Sequence, residues 1–188
     1  MNATARLGVS RWQQIALVVL RVAIGWHFLY EGYVKLIQSG WSAASYLKGA
    51  VGPFAPLFHQ MAASPTALRV VNLLNEWGLV AVGLGLIVGL LTRPAALGGM
   101  LMLVLYYLAN PPWIGVLARP GEGNYLWVDK NLVELLALAV ILTFDTGKMA
   151  GLDLAFHELR SRLRARRAAR KEGSGPQPAP PQEEASGN

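Results

Sequence analysis

Three ionisable side chains recur one helical turn apart inside an apolar stretch: His27, Glu31 and Lys35 of VAIGWHFLYEGYVKL, residues 22–36, with Arg21 just before it. An imidazole, a carboxylate and an ammonium on one stripe can pass a proton, pair charges or hold a polar headgroup. Asp129, Lys130, Asn131 and Glu134 open the last hydrophobic segment, and Asn72, Asn75 and Glu76 open an earlier one. At about 100° per residue, Arg21, His27, Glu31 and Lys35 share an arc of about 120°. By the same geometry Lys130 and Glu134 lie about 40° apart, and Asn131 about 60° from Glu134. Ionisable groups at membrane depth are costly, so they usually face a bundle interior or a cavity, where they mark function.

The composition points to a bilayer. Of 188 residues, 53% are hydrophobic and only 15% charged, and the mean hydropathy is +0.34. Soluble domains of this size rarely have that balance. The chain has no cysteine, which excludes disulfides, CxxC redox pairs, thiolate metal sites and cysteine nucleophiles. The net charge is +6, yet the basic residues gather after position 159. That distribution fits a cytoplasmic membrane surface rather than nucleic acid.

Four hydrophobic segments must position the polar groups. After an arm over residues 1–11, the first span covers about 12–37, with no small-residue cleavage site after it. Residues 38–69 are too broken by Gly52, Pro53, Pro56 and Pro65 to span, and too apolar for a solvated loop; they read as short interfacial helices. The second span, about 70–91, must include Asn72, Asn75 and Glu76 to reach the roughly 20 residues that a bilayer requires. Its Ala81, Gly85 and Gly89 form a small-residue ridge suited to close packing. The third span, about 95–113, ends in an aromatic belt. The fourth, about 125–144, must take in Asp129, Lys130, Asn131 and Glu134. Residues 152–171 carry Leu152, Phe156, Leu159 and Leu163 at helical spacing among arginines, a basic amphipathic helix suited to an anionic leaflet. Residues 173–188 have the composition of a disordered tail.

Basic residues in the amino arm, the Arg93 turn and the arginine-rich tail place both termini in the cytoplasm, as in a multi-pass protein of the inner (cytoplasmic) membrane. The polar ends of spans one, two and four then meet on the outer side. The expectation is one pocket there, walled by Tyr30, Tyr33, Tyr125 and Trp127 and lidded by the first loop. Glu31, Glu134 and His27 are its candidate proton-handling, catalytic groups. Lys35, Glu76, Asp129, Lys130, Asn131, Tyr30 and Tyr125 are its candidate substrate contacts. Glu31, Glu76, Asp129 and Glu134 outnumber Lys35 and Lys130 by two charges. Arg21, a protonated His27 or a carboxyl that keeps its proton must absorb that excess.

Each residue has a plainer reading beside the functional one. Glu31 can be an ion pair with Lys35 or Lys130 that sets helix register, and Glu134 and Asn131 can be held in the same way. Asp129 can be a helix-start residue. His27 lacks a second histidine at metal-ligand spacing, so it is a hydrogen-bonded structural group or a proton partner. Arg21 can snorkel to the cytoplasmic face or turn into the pocket. The tyrosines and tryptophans can be an interface belt.

Several blocks together resemble the DoxX/DoxD family of small membrane proteins: LRVAIGWHFLYEGYVKL (20–36), GPFAPLF (52–58), LNEWGLVAVGLGLIVGLLTRPAALGGMLML (74–103), YYLANPPW (106–113) and NYLWVDKNLVELLALAVI (124–141). The resemblance covers roughly residues 12–153. It implies an all-α, four-transmembrane-helix bundle, and a redox theme in which some members serve as a subunit of a thiosulfate:quinone oxidoreductase. It brings no established site residues. Quinone would be substrate or acceptor, since no haem, flavin, iron–sulfur or metal motif is present. Electrons would come from a partner redox protein or subunit, or directly from a substrate. The alternative is a non-catalytic assembly factor or scaffold whose polar cluster is structural. The bilayer is the expected surrounding, and a homo-oligomer is left open.

Overall fold

The computed structural model describes residues 9–114, 124–155, 157 and 159–163. Helix α1 runs Arg11–Ile37 over 27 residues. Its start is a capping box: the Ser10 hydroxyl accepts from the Gln13 N–H, and the Gln13 side chain accepts from the Ser10 N–H. Two orphan amides of the first turn are thereby satisfied. One face buries Arg21, Gly25, Phe28 and Gly32. Trp12, Val19, Trp26, Tyr30 and Ile37 line an exposed apolar stripe.

The first connection folds into two short helices, α2 (Ala44–Lys48) and α3 (Ala55–Ala63). A long helix follows without a break from Pro65 to Val88. It comprises α4 (Pro65–Leu73), a π-turn (Leu74–Gly78) and α5 (Leu79–Val88). It begins at Pro65 rather than near residue 70, because Ser64 caps it and Pro65 occupies the first position, where a missing N–H costs nothing. Gly89 ends it with φ 68, the left-handed cap that glycine adopts without penalty.

Helix α6 spans Thr92–Ala109, not 95–113. Asn110 precedes Pro111 and leaves the helical region at φ −135 and ψ 73, as the proline ring demands of its neighbour. The expected fourth span opens at about residue 125, but residues 124–129 pair as an antiparallel hairpin, β1 (Asn124–Tyr125) with β2 (Val128–Asp129). Helix α7 therefore starts at Lys130 and ends at Thr143, 14 residues in all, with Asp129 as its N-cap. A 3₁₀ turn, Thr146–Lys148, follows, and residues 152–155 are helical again.

Helix α1 packs chiefly on α5, α6 on α7, and α5 on α6. Phe28, Leu79, Val82, Leu86, Leu103, Leu138 and their neighbours form the main core. Small residues set the closest approach, though not the expected ridge. Gly83 lies against the α1 backbone at Gly25 and Leu29, while Gly25 and Gly32 receive Ile87 and Val80 in return. Of the expected ridge, Ala81 is exposed, Gly85 faces Ala95 of α6 and Gly89 faces Gly151. A second core joins the first connection to the ends of α4 and α6 through Leu47, Phe58, Ala62 and Ala109.

Three helices, α1, Pro65–Val88 and α6, are long and apolar enough to cross a membrane. At about 1.5 Å per residue α7 covers about 21 Å, short of the roughly 30 Å of hydrocarbon in a bilayer. Apolar side chains stay exposed on every long helix, including Leu97 and Leu101 of α6 and Val133 and Leu136 of α7. That much exposed apolar surface requires an apolar surrounding.

Residues from 155 onward form a separate unit. Among them, residues 157 and 159–163 are helical, with Leu159 and Leu163 exposed. The expected arm at residues 1–8, the rest of the amphipathic helix at 164–171 and the tail at 173–188 lie outside the described residues.

Candidate functional site

The polar ends of α1 and α7 meet. The His27 Nε2 lies 3.2 Å from the Glu134 Oε1. Glu31 bridges two ammonium groups: its Oε2 is 2.7 Å from the Lys35 Nζ, and its Oε1 is 3.6 Å from the Lys130 Nζ. Lys35 also donates to the Glu31 carbonyl at 3.1 Å, and its Nζ lies 5.7 Å from the centre of the Trp41 ring. Glu134 is buried, whereas His27 and Glu31 are partly open. The four-residue spacing 27–31–35 puts one α1 face toward α7, and the spacing 130–134 returns it.

Asp129 and Asn131 serve the backbone of this site. The Asp129 Oδ1 accepts from the Leu132 N–H at 2.9 Å, and its Oδ2 from the Asn131 Nδ2 at 2.8 Å. Asp129 is thus the helix-start residue that its position allowed, fixing where Lys130 and Glu134 emerge.

Five expected members lie elsewhere. Tyr30 and Tyr125 are exposed on the outer surface. Tyr30 falls about 100° around α1 from Glu31, and Tyr125 sits in the hairpin. Tyr33 and Trp127 are exposed as well. Glu76 is half-buried in the π-turn, where no hydrogen bond or ion pair with the described residues engages its carboxylate. With Glu76 apart, Glu31, Asp129 and Glu134 stand near Lys35 and Lys130, and the expected excess of two negative charges falls to one.

Arg21 does not join the cluster. It is only 2% exposed. Its Nη1 donates to the Thr146 carbonyl at 2.9 Å and the Ala150 carbonyl at 2.7 Å, beyond the far end of α7. Neither snorkelling nor a pocket role describes it. It ties α1 to the segment that follows α7. Asp153 completes that knot by accepting from the Leu91 N–H at 2.8 Å and the Thr92 N–H at 2.9 Å. Burial acts to raise the Asp153 pKa, but these amides and the Arg21 charge prevail and hold it below the ordinary value.

Sequence reasoning missed two supports of the site. Trp41 is the residue through which the first connection covers Lys35. Tyr106 donates to the Asn75 Oδ1 at 2.6 Å, Asn75 donates to the Val71 carbonyl at 2.9 Å, and Tyr46 donates to the Tyr106 carbonyl at 3.0 Å. A π-turn redirects side chains relative to an α-helix, and no pattern in LNEWG announces one. Among the described residues, no three histidine, aspartate or glutamate side chains converge as metal ligands do.

Apolar-faced helices that enclose a paired-charge cluster define a multi-pass helical membrane protein. The chain belongs to the DoxX family, whose model matches residues 16–110. That match runs from within α1 to the end of α6 with His27, Glu31, Lys35 and Glu76, and stops before Lys130 and Glu134. No curated protein and no solved structure gives a match.

Proposed function

We propose that this chain is the membrane subunit of a redox complex, a bundle of four transmembrane helices with α7 as the fourth. In this reading both termini lie in the cytoplasm, and the cluster serves a quinone from the outer leaflet of the inner membrane. The single observation that carries the reading is the His27–Glu134 contact at 3.2 Å, beside a carboxylate shared by two lysines. Reducing a quinone takes two electrons and two protons. Joining two thiosulfates into tetrathionate releases two electrons and supplies no proton. The protein must then deliver the protons, and an imidazole–carboxylate pair is suited to that. Lys35 and Lys130 would stabilise negative charge on a reduced quinone oxygen. A partner redox protein, or the sulfur compound itself, supplies the electrons. The thiosulfate theme rests on the family resemblance, and the proton chemistry rests on the residues.

The test is purification from native membranes, extraction of bound quinone, and quinone reduction assayed with thiosulfate as donor. Glu134→Gln and Glu31→Gln should lower turnover while the fold survives. A preparation that holds no quinone, and whose turnover is the same with and without these substitutions, would refute the reading.

One observation favours a second reading, a non-catalytic scaffold or assembly factor. Glu31, Lys35, Lys130, His27 and Glu134 are all paired, and two of the pairs, His27–Glu134 and Glu31–Lys130, join α1 to α7. Cohesion alone predicts that the same substitutions reduce stability or recovery of a partner and leave turnover unchanged.

A further inference from the structure

The hairpin before α7 is apolar where a hairpin tip in water is polar. Tyr125, Leu126, Trp127 and Val128 are consecutive and all exposed, Tyr125 at 69% and Leu126 at 53%. Leu126 has φ 60, a region where its Cβ is penalised and where two-residue turns ordinarily place glycine, asparagine or aspartate. A leucine there gives up turn stability for an apolar tip, and in water an exposed leucine recovers nothing in return. The pattern repeats in the turn between α5 and α6. Leu91 has φ 52 and is 65% exposed. One strained leucine thus precedes the first turn of α6, and the other is braced to its last turns.

The bracing is specific. The Tyr107 hydroxyl of α6 donates to the Trp127 carbonyl at 2.8 Å. The Trp113 ring stands between them, 5.5 Å from the Tyr107 ring and 4.7 Å from the Trp127 ring. The hairpin is a fixed projection on the end of α6.

We infer that the 124–129 hairpin is a lipid-binding wedge seated in the interfacial layer of the bilayer, and that the Leu91 turn is seated in the same layer of the opposite leaflet. The headgroup–acyl boundary accepts tryptophan and tyrosine rings. It also supplies water to turn amides that hydrocarbon would leave unsatisfied. Four successive apolar side chains, not confined to one face, fit a fluid partner that needs no shape complement. The wedge fixes the depth at which α7 begins, and with it the depth of Lys130 and Glu134. This inference is independent of the redox reading.

The absence of cysteine makes the test direct. Leu126→Cys and Leu91→Cys, each in the full chain, carry a nitroxide label in lipid nanodiscs. The expected result is that dissolved oxygen relaxes both labels more strongly than a water-soluble nickel chelate does. Stronger relaxation by nickel at position 126 would place the tip in water and overturn the proposal. Protection from both reagents would mean a protein cover and overturn it equally. As a check on the unlabelled protein, lipids brominated near the carbonyl should quench tryptophan emission in the native chain, and less of it in Trp127→Phe. Equal quenching in the two would also refute the wedge.

Discussion

Gly83→Ala tests how closely α1 and α5 approach. A Cβ at position 83 would overlap the Leu29 N–H and lie 2.7 Å from both the Gly25 carbonyl oxygen and the Leu29 Cα. All three are backbone atoms, so no rotamer change relieves the overlap and the helices must part. Overpacking of this kind costs about 1–3 kcal/mol, and a rigid backbone neighbour places the cost toward the upper end. For a chain of this size each kcal/mol shifts the unfolding midpoint by about 2–4 °C, giving a loss of about 4–12 °C. Gly98→Ala is the matched control. Its Cβ would first meet the Val82 Cγ2 at 3.6 Å, an ordinary contact, and alanine is better than glycine inside a helix by about 0.5–1 kcal/mol. Its midpoint should hold or rise. Thermal unfolding in one detergent, followed by circular dichroism, reads both. A Gly83→Ala protein as stable as the parent, or a Gly98→Ala protein that loses more, would refute the packing argument.

Three further outcomes follow from the two polar clusters. Arg21→Met removes a charged donor from one buried and one part-buried carbonyl; at about 1.5 kcal/mol for each such bond it should cost about 3 kcal/mol, measured by the same unfolding assay, with Arg21→Lys intermediate. Because the Asp153 pKa lies below its ordinary value in the folded protein, its stabilising effect is complete above about pH 4 and fades as pH falls through the lowered native value. The stability gap between the parent and Asp153→Asn should therefore close in acid, and a gap that widened there would contradict the assignment. A double-mutant cycle with His27→Ala and Glu134→Ala should give a coupling of about 0.5–3 kcal/mol in unfolding titrations. Additive single effects would mean the 3.2 Å contact is not formed in the membrane.

The sequence by itself determined the apolar helices, the first helix almost to its ends, and the stripe of His27, Glu31 and Lys35. Helical periodicity is local, and so is the Ser10–Gln13 cap, so both can be read along the chain. Meeting of that stripe with Lys130 and Glu134 was legible too, because the basic residues at the segment ends orient the spans and put the carboxyl end of the first and the amino end of the last on one side. Other features needed the tertiary structure. Whether 124–129 continues α7 or folds back as a hairpin depends on Tyr107 and Trp113, which lie far away in sequence. Glu76 left the pocket because a π-turn changes the register of side chains, and that turn is stabilised through Asn75 and Tyr106. Arg21 lies within the same arc of about 120° as the stripe, yet it serves the opposite end of the molecule. Phase fixes the face of a helix a residue occupies, and only the packed neighbours fix what that face meets.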